Sequence, residues 1–170
     1  MTMPEIIRHD YEASSEGGIV HWEIPYSRLT DTTPTPTRPC EVTSLTDSTQ
    51  LTGTILTIDA GDSVALIDFT PSMVYYQEVR NVLTYDQAAE ATWGAINIGD
   101  EVYYDHSATM LALGLQLSTS PLGAAGQTNT RFGWVVARHD TDMALYPKGD
   151  ATASTEEVGV MQLGAGSAAT

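Results

Sequence analysis

Positive charge is scarce in this chain of 170 residues: six arginines and Lys148 make seven cations against 22 aspartates and glutamates, a formal net charge of −15. Nucleic acid and anionic membrane are excluded as partners by that balance, because either needs a basic surface to displace counterions. Cys40 is the only cysteine, which rules out an intrachain disulfide framework and any paired-cysteine zinc or redox motif. No apolar run approaches the length of a membrane-spanning helix. The first ten residues lack both a basic n-region and an apolar h-region, so no cleaved secretion signal is expected. Charged residues make up only 17% of the chain and hydrophobic ones 42%, which argues against a disordered acidic tail and for a folded core.

Motifs that carry chemistry are equally sparse. The sequence has no G-x-S-x-G elbow, no Walker pattern and no G-x-G-x-x-G. Its four histidines, His9, His21, His106 and His139, have no distinctive serine or cysteine companion. His21-x-Glu23 followed by Pro39-Cys40 supplies two halves of the zinc nucleotide deaminase motif. Thr43 stands where the second cysteine is required, and a catalytic zinc needs three protein ligands, so the match reads as coincidence. His139, Asp140 and Asp142 lack the spacing of a calcium loop and read as solvated acids. No enzyme activity, metal or cofactor is expected.

The patterning that is present points to an all-β protein. Residues 1–50 read as an extended N-terminal arm, because Thr30 to Pro39 carries Pro34, Pro36 and Pro39, which remove amide donors and favour polyproline-like geometry. Within the arm lies an apolar island, Ile19 to Tyr26, which is either a strand packed on its own domain or a segment that docks on a partner. Residues 51–163 show short alternating apolar runs between turn residues, the pattern of a compact β-barrel or sandwich, a jelly roll among the alternatives. Strands are expected at 51–58 and 63–69 about an Asp59-Ala-Gly-Asp62 turn, then at 74–85, 96–105, 131–138 and 157–163. One or two helical turns are expected at 86–91, and alternating leucines at 111–117 continue the strand pattern. In the run ending at Tyr104, Val102 and Tyr104 should face one side and Tyr103 the other. Residues 164–170 have the composition of a short flexible tail.

Four segments taken together resemble a known family. They are Trp93 to Asp105 with its Gly99-Asp-Glu-Val-Tyr-Tyr-Asp105 core, the loop from Leu117 through Gly123, Arg131 to Ala137, and Val158 to Leu163. In composition, order and spacing they resemble the small capsid decoration, or cement, proteins of tailed bacteriophages, over roughly residues 51–163. The resemblance implies a compact β module, a homotrimer on the outer surface of an expanded phage head, the major capsid protein as partner, assembly in the host cytoplasm, and no catalysis. The first fifty residues depart from the shorter members of that family. They could reach a neighbouring subunit, lie on the capsid protein, or pack back on their own barrel.

The arm's candidate partner contacts are Ile6, Ile7, Tyr11, Trp22, Ile24 and Tyr26, with Pro34, Pro36 and Pro39 narrowing its free ensemble; such a segment can add a strand to an exposed sheet edge. On this reading, deleting residues 1–40 leaves the β domain folded and weakens attachment. The alternative is a carbohydrate-binding or host-adhesion module on a virion or cell surface, with Trp93, Trp134, Tyr103 and Tyr104 as stacking platforms, although alternating aromatics on strands more often belong to a core. A hydrolase assembled from scattered residues has no motif behind it.

Overall fold

Period-2 alternation between turn residues produces strands through more than half of the described residues. A computed structural model describes residues 9–12, 19–43, 50–80, 96–123, 126–138 and 155–164, and among them the fold is all-β, with ten strands and one short α-helix. The chain divides into two compact units: Met1–Ser72 with Leu163–Thr170, and Met73–Gln162.

The first unit is an open antiparallel sheet. Its strands are β1 (His9–Glu12), β2 (Ile19–Pro25), β3 (Pro39–Thr43), β4 (Gln50–Asp59) and β5 (Val64–Asp68), in the order β1-β2-β5-β4-β3. The β4–β5 turn is held by Asp59, whose Oδ1 accepts the amides of Gly61 at 2.9 Å and Asp62 at 3.2 Å. Ile24, Leu29, Cys40, Ile55, Ala65, Ile67 and Phe69 form the buried core, with Val20, Trp22, Tyr26, Val42 and Leu51 packed against it. The Trp22 and Phe69 rings lie 5.2 Å apart in a tilted arrangement. Gly53 is required on β4, because a Cβ there would sit 2.7 Å from the Asp68 carbonyl oxygen.

This sheet corrects the expected arm. Residues 19–43 supply two of its strands, and the boundary expected at residue 50 falls between β3 and β4, which pair from Pro39 opposite Thr54 to Thr43 opposite Gln50. The apolar island is therefore a strand of its own unit: β2 pairs β5 from His21 opposite Asp68 to Pro25 opposite Val64. The prolines sit where no ladder donor is lost. Pro25 ends β2 and Pro39 is the first residue of β3. The Pro/Thr segment is a loop tied to β4, with the Thr37 amide donating to Ile55 O at 2.8 Å and the Ile55 amide to Arg38 O at 2.9 Å.

The second unit is a closed barrel. Its elements are β6 (Val74–Arg80), β7 (Glu101–Tyr104), α1 (Ala108–Leu113), β8 (Leu117–Ser118), β9 (Thr130–Arg138) and β10 (Thr155–Gln162), with strand order β10-β6-β8-β7-β9. All neighbours are antiparallel except β6 and β8. Register shifts at Val102/Tyr103 and at Gly159/Val160 mark bulges of the kind that bend a sheet toward closure. Val79, Ile96, Val102, Tyr104, Leu117, Phe132, Val135, Val158 and Val160 fill the interior. Gly133 lets β9 pass close to β10: a Cβ there would lie 2.0 Å from the Met161 carbonyl oxygen.

The leucine alternation at 111–117 is split between helix and strand. Gly114, at φ 69°, caps α1 in the left-handed region and donates to Leu111 O at 3.1 Å, so the chain leaves the helix before β8 begins. The helix expected at 86–91, the end of the strand expected at 74–85, and nearly all of the tail at 164–170 lie outside the described residues.

Candidate interaction surface

Each residue of the Gly99 to Asp105 motif has a place in the barrel. Gly99 takes φ 97° in the turn before β7, and the Asp100 carboxylate accepts the Asn97 amide at 2.7 Å. Val102 and Tyr104 enter the core while Glu101 and Tyr103 point outward, as the alternation requires. Asp105 is fully buried. Its Oδ2 accepts the Arg80 guanidinium at 2.8 Å, and its Oδ1 accepts the Ser107 amide and Gln127 Nε2, each at 3.0 Å. One carboxylate thereby joins the end of β6, the end of β7, the start of α1 and the loop before β9. Placed in this way it acts as a tie, since a buried charge is tolerated only when paired and hydrogen-bonded.

The outward-facing residues form a second feature, a band running across four adjacent strands. Val74 on β6 lies opposite Met161 on β10, Met161 opposite Trp134 on β9, and Trp134 opposite Glu101 on β7. One rung further, Tyr76 lies opposite Gly159, which lies opposite Ala137. Val74 and Tyr76 are 46% and 51% exposed, while Met161 and Trp134 are half-buried. At the β7 end of the band, Arg131 forms an ion pair with Glu101, and the Tyr103 hydroxyl donates to the other oxygen of the same carboxylate. The Arg131 guanidinium carbon also sits 4.7 Å from the Trp134 ring centroid, a cation–π contact. Burial first, and the adjoining Glu101 second, push the Tyr103 phenol above the ordinary tyrosine range, with Arg131 opposing. The band thus combines apolar and aromatic surface with the paired Glu101 carboxylate at its β7 end, and the next rung along β6 and β10 is acidic, with exposed Glu78 opposite exposed Glu157.

The arm's candidate contacts are distributed differently from the expectation. Trp22, Ile24 and Tyr26 belong to the first unit's own packing, and Pro34 and Pro39 are buried, with Pro36 half-buried. Tyr11 lies in β1 opposite Val20. Ile6 and Ile7 lie outside the described residues. Of the four aromatic platforms, Trp134 and Tyr103 are on the outer face, Tyr104 is in the barrel core, and Trp93 lies outside the described residues.

The zinc-like halves are held apart by the sheet. His21 on β2 and Cys40 on β3 have β5 and β4 between them, on the order of 14 Å at ordinary strand spacing. His21 instead lies 3.5 Å from Asp68. Burial raises the Cys40 thiol's pKa far above the ordinary thiol range, so the metal-binding thiolate is disfavoured. Among the described residues no group of three or more His, Cys, Asp or Glu could hold a metal ion, and no helix is long and apolar enough to cross a membrane. His139, Asp140 and Asp142 lie outside the described residues.

Sequence reasoning missed Val74, Tyr76, Met161, Glu101 and Arg131 as one surface, and Arg80 as the partner of Asp105. Alternation places each side chain on a face of its own strand, but only the pairing of strands distant in sequence brings them together. Comparison with protein-family models, with curated proteins and with solved structures finds no match.

Proposed function

We propose that this chain is a structural virion protein that binds the outer surface of a mature phage capsid as a homotrimer and stabilises it. One observation carries the reading. The segments that resemble the cement family are separate in sequence, yet β7, β8, β9 and β10 come from them and make up four of the five strands of one closed barrel. The motif residues serve that barrel as turn, core and tie, which suits a protein whose work is attachment. The acidic balance suits it too, because like-charged copies stay apart in solution until a specific surface captures them. Attachment of several copies at once makes the second and third contacts effectively intramolecular. The major capsid protein is the partner, and the protein's place is the exterior of the head.

Purified protein is expected to scatter light as a trimer and to co-sediment with expanded heads but not with immature ones. A strict monomer with no affinity for either would overturn the proposal. The outward-facing, half-buried placement of Trp134 and Tyr103 favours one second reading, a carbohydrate-binding or host-adhesion module. On that reading a glycan array returns saturable binding that is lost in Trp134→Ala. The Arg131 guanidinium beside the Trp134 ring counts against a free stacking platform there.

A further inference from the structure

We infer that the barrel end built by α1 and the loop from Thr119 to Thr128 is the face that attaches to a different protein, through an uncharged apolar recess on that protein. The inference deepens the attachment reading above and rests on it: the recess belongs to the capsid protein. Charge marks the face. Residues 106–130 hold no Asp, Glu, Lys or Arg, although 17% of the chain is charged. Depletion of charge is what sets the centre of an interface apart from the rest of a surface. Apolar side chains stand out of this end: Leu113 is 60% exposed and Leu122 49%, with exposed Ala108, Ala112 and Pro121 on the same two segments.

Each leucine is held in place. Gly114, in the left-handed region, stops α1 directly after Leu113. The Ser120 hydroxyl donates to Leu122 O at 2.8 Å and accepts the Leu122 amide at 3.2 Å, while Asn129 Nδ2 donates to Ser120 O at 3.1 Å. Asp105 accepts both the Ser107 amide and Gln127 Nε2, so α1 and the loop share one buried anchor. A surface ordered before contact loses little freedom on binding. Composition selects the occupant. Another copy would bring a second body of −15 to a contact with no opposite charge to offset the repulsion. A lipid surface is met by aromatic and basic side chains, and residues 106–130 contain no Phe, Tyr, Trp, Lys or Arg. An apolar recess on another protein needs neither.

Co-sedimentation of the full chain with expanded heads over a concentration series tests this, with Leu113→Glu and Leu122→Glu placing charge on the face and Ile58→Glu placing the same charge on the exposed part of β4. Wild type and Ile58→Glu are expected to pellet alike. Each leucine variant should weaken attachment on the order of tenfold while keeping the wild-type circular dichroism spectrum. Leu113→Gln, which keeps a helix-forming residue without charge, serves if the glutamate variant fails to fold, and it should weaken attachment in the same direction. Leucine variants that fold and pellet like wild type would overturn the inference and leave the virion reading standing. A wild type that does not pellet with expanded heads would overturn both. Sedimentation velocity of the protein alone and flotation with phosphatidylcholine vesicles cover the other occupants. Self-association or vesicle binding that is lost in Leu113→Glu would overturn the inference by giving the face to a second copy or to lipid.

Discussion

The sheet of the first unit has two edges, β1 and β3, whereas the barrel of the second has none. An open edge presents unpaired backbone groups, and the chain deals with the β3 edge locally. Leu29 bridges to Val42, and the Thr30 amide donates to Glu41 O at 2.9 Å, laying the start of the Pro/Thr loop along the strand. The Glu41 side chain, fully buried, accepts the Thr30 hydroxyl at 2.7 Å and fastens the same segment. The barrel needs no such cover because closure satisfies its strands. Its buried charge is spent at one end, where Arg80 and Asp105 tie together segments that closure alone would leave loose. The two units use buried carboxylates for different ends: Glu41 holds a loop over an edge, and Asp105 holds a barrel shut.

The strongest way to break that contrast is truncation. Deleting residues 1–40 removes β1, β2 and the start of β3 and uncovers Ile55, Ile67 and Phe69. The expected result is loss of the first unit's cooperative melting, followed by calorimetry, instead of the harmless trimming that the composition of the segment predicts. Next comes Asp105→Ala, which removes the buried ion pair with Arg80 together with the hydrogen bonds from the Ser107 amide and Gln127, and should cost about 3–5 kcal/mol. Each kcal/mol corresponds to roughly 4–8 °C in a unit of this size. An unchanged Tm would show that the barrel end is held by something else. Ile67→Ala, on the central strand β5, should cost about 2–5 kcal/mol, and Val42→Ala on the covered edge distinctly less. Equal losses would mean that the edge is packed as tightly as the centre.

Two smaller effects are expected, one in each unit. Cys40 is buried and its thiol pKa is raised, so thiol reagents should modify it only as fast as the sheet opens, and Ile67→Ala should speed that reaction. Rapid labelling of the native protein would contradict the sheet as described. On the barrel, Tyr103 should release its proton later than an ordinary tyrosine. A phenol whose folded pKa is raised contributes stability below the unfolded value of about 10 and loses it as pH rises through the folded value. Glu101→Gln should move that alkaline titration, read by phenolate absorbance, toward the ordinary range.

Local patterning accounts for what sequence reasoning reached. The apolar runs at 51–58, 131–138 and 157–163 became β4, β9 and β10 with shifts of a few residues at their ends. The opposed faces of Val102 and Tyr103 followed from period 2 alone. The Pro/Thr segment misled because proline gives the same signal in a linker and in a tied loop. What separates the two is the burial of Leu29 and Cys40 on either side, which depends on strands elsewhere in the chain. Arg80 could not be matched to Asp105, or Val74 through Met161 to Trp134, for the same reason: both associations are made by pairings across long stretches of sequence. The leucines before Gly114 were ambiguous because six residues are too few for a 3.6-residue period to show against a period of 2.

The proposed bracing of a capsid is tested most directly by the temperature at which phage heads stripped of this protein release their DNA, followed with a nucleic-acid dye. Adding the purified protein back is expected to raise that temperature in a saturable way. Release at the same temperature with and without saturating protein would contradict the claim.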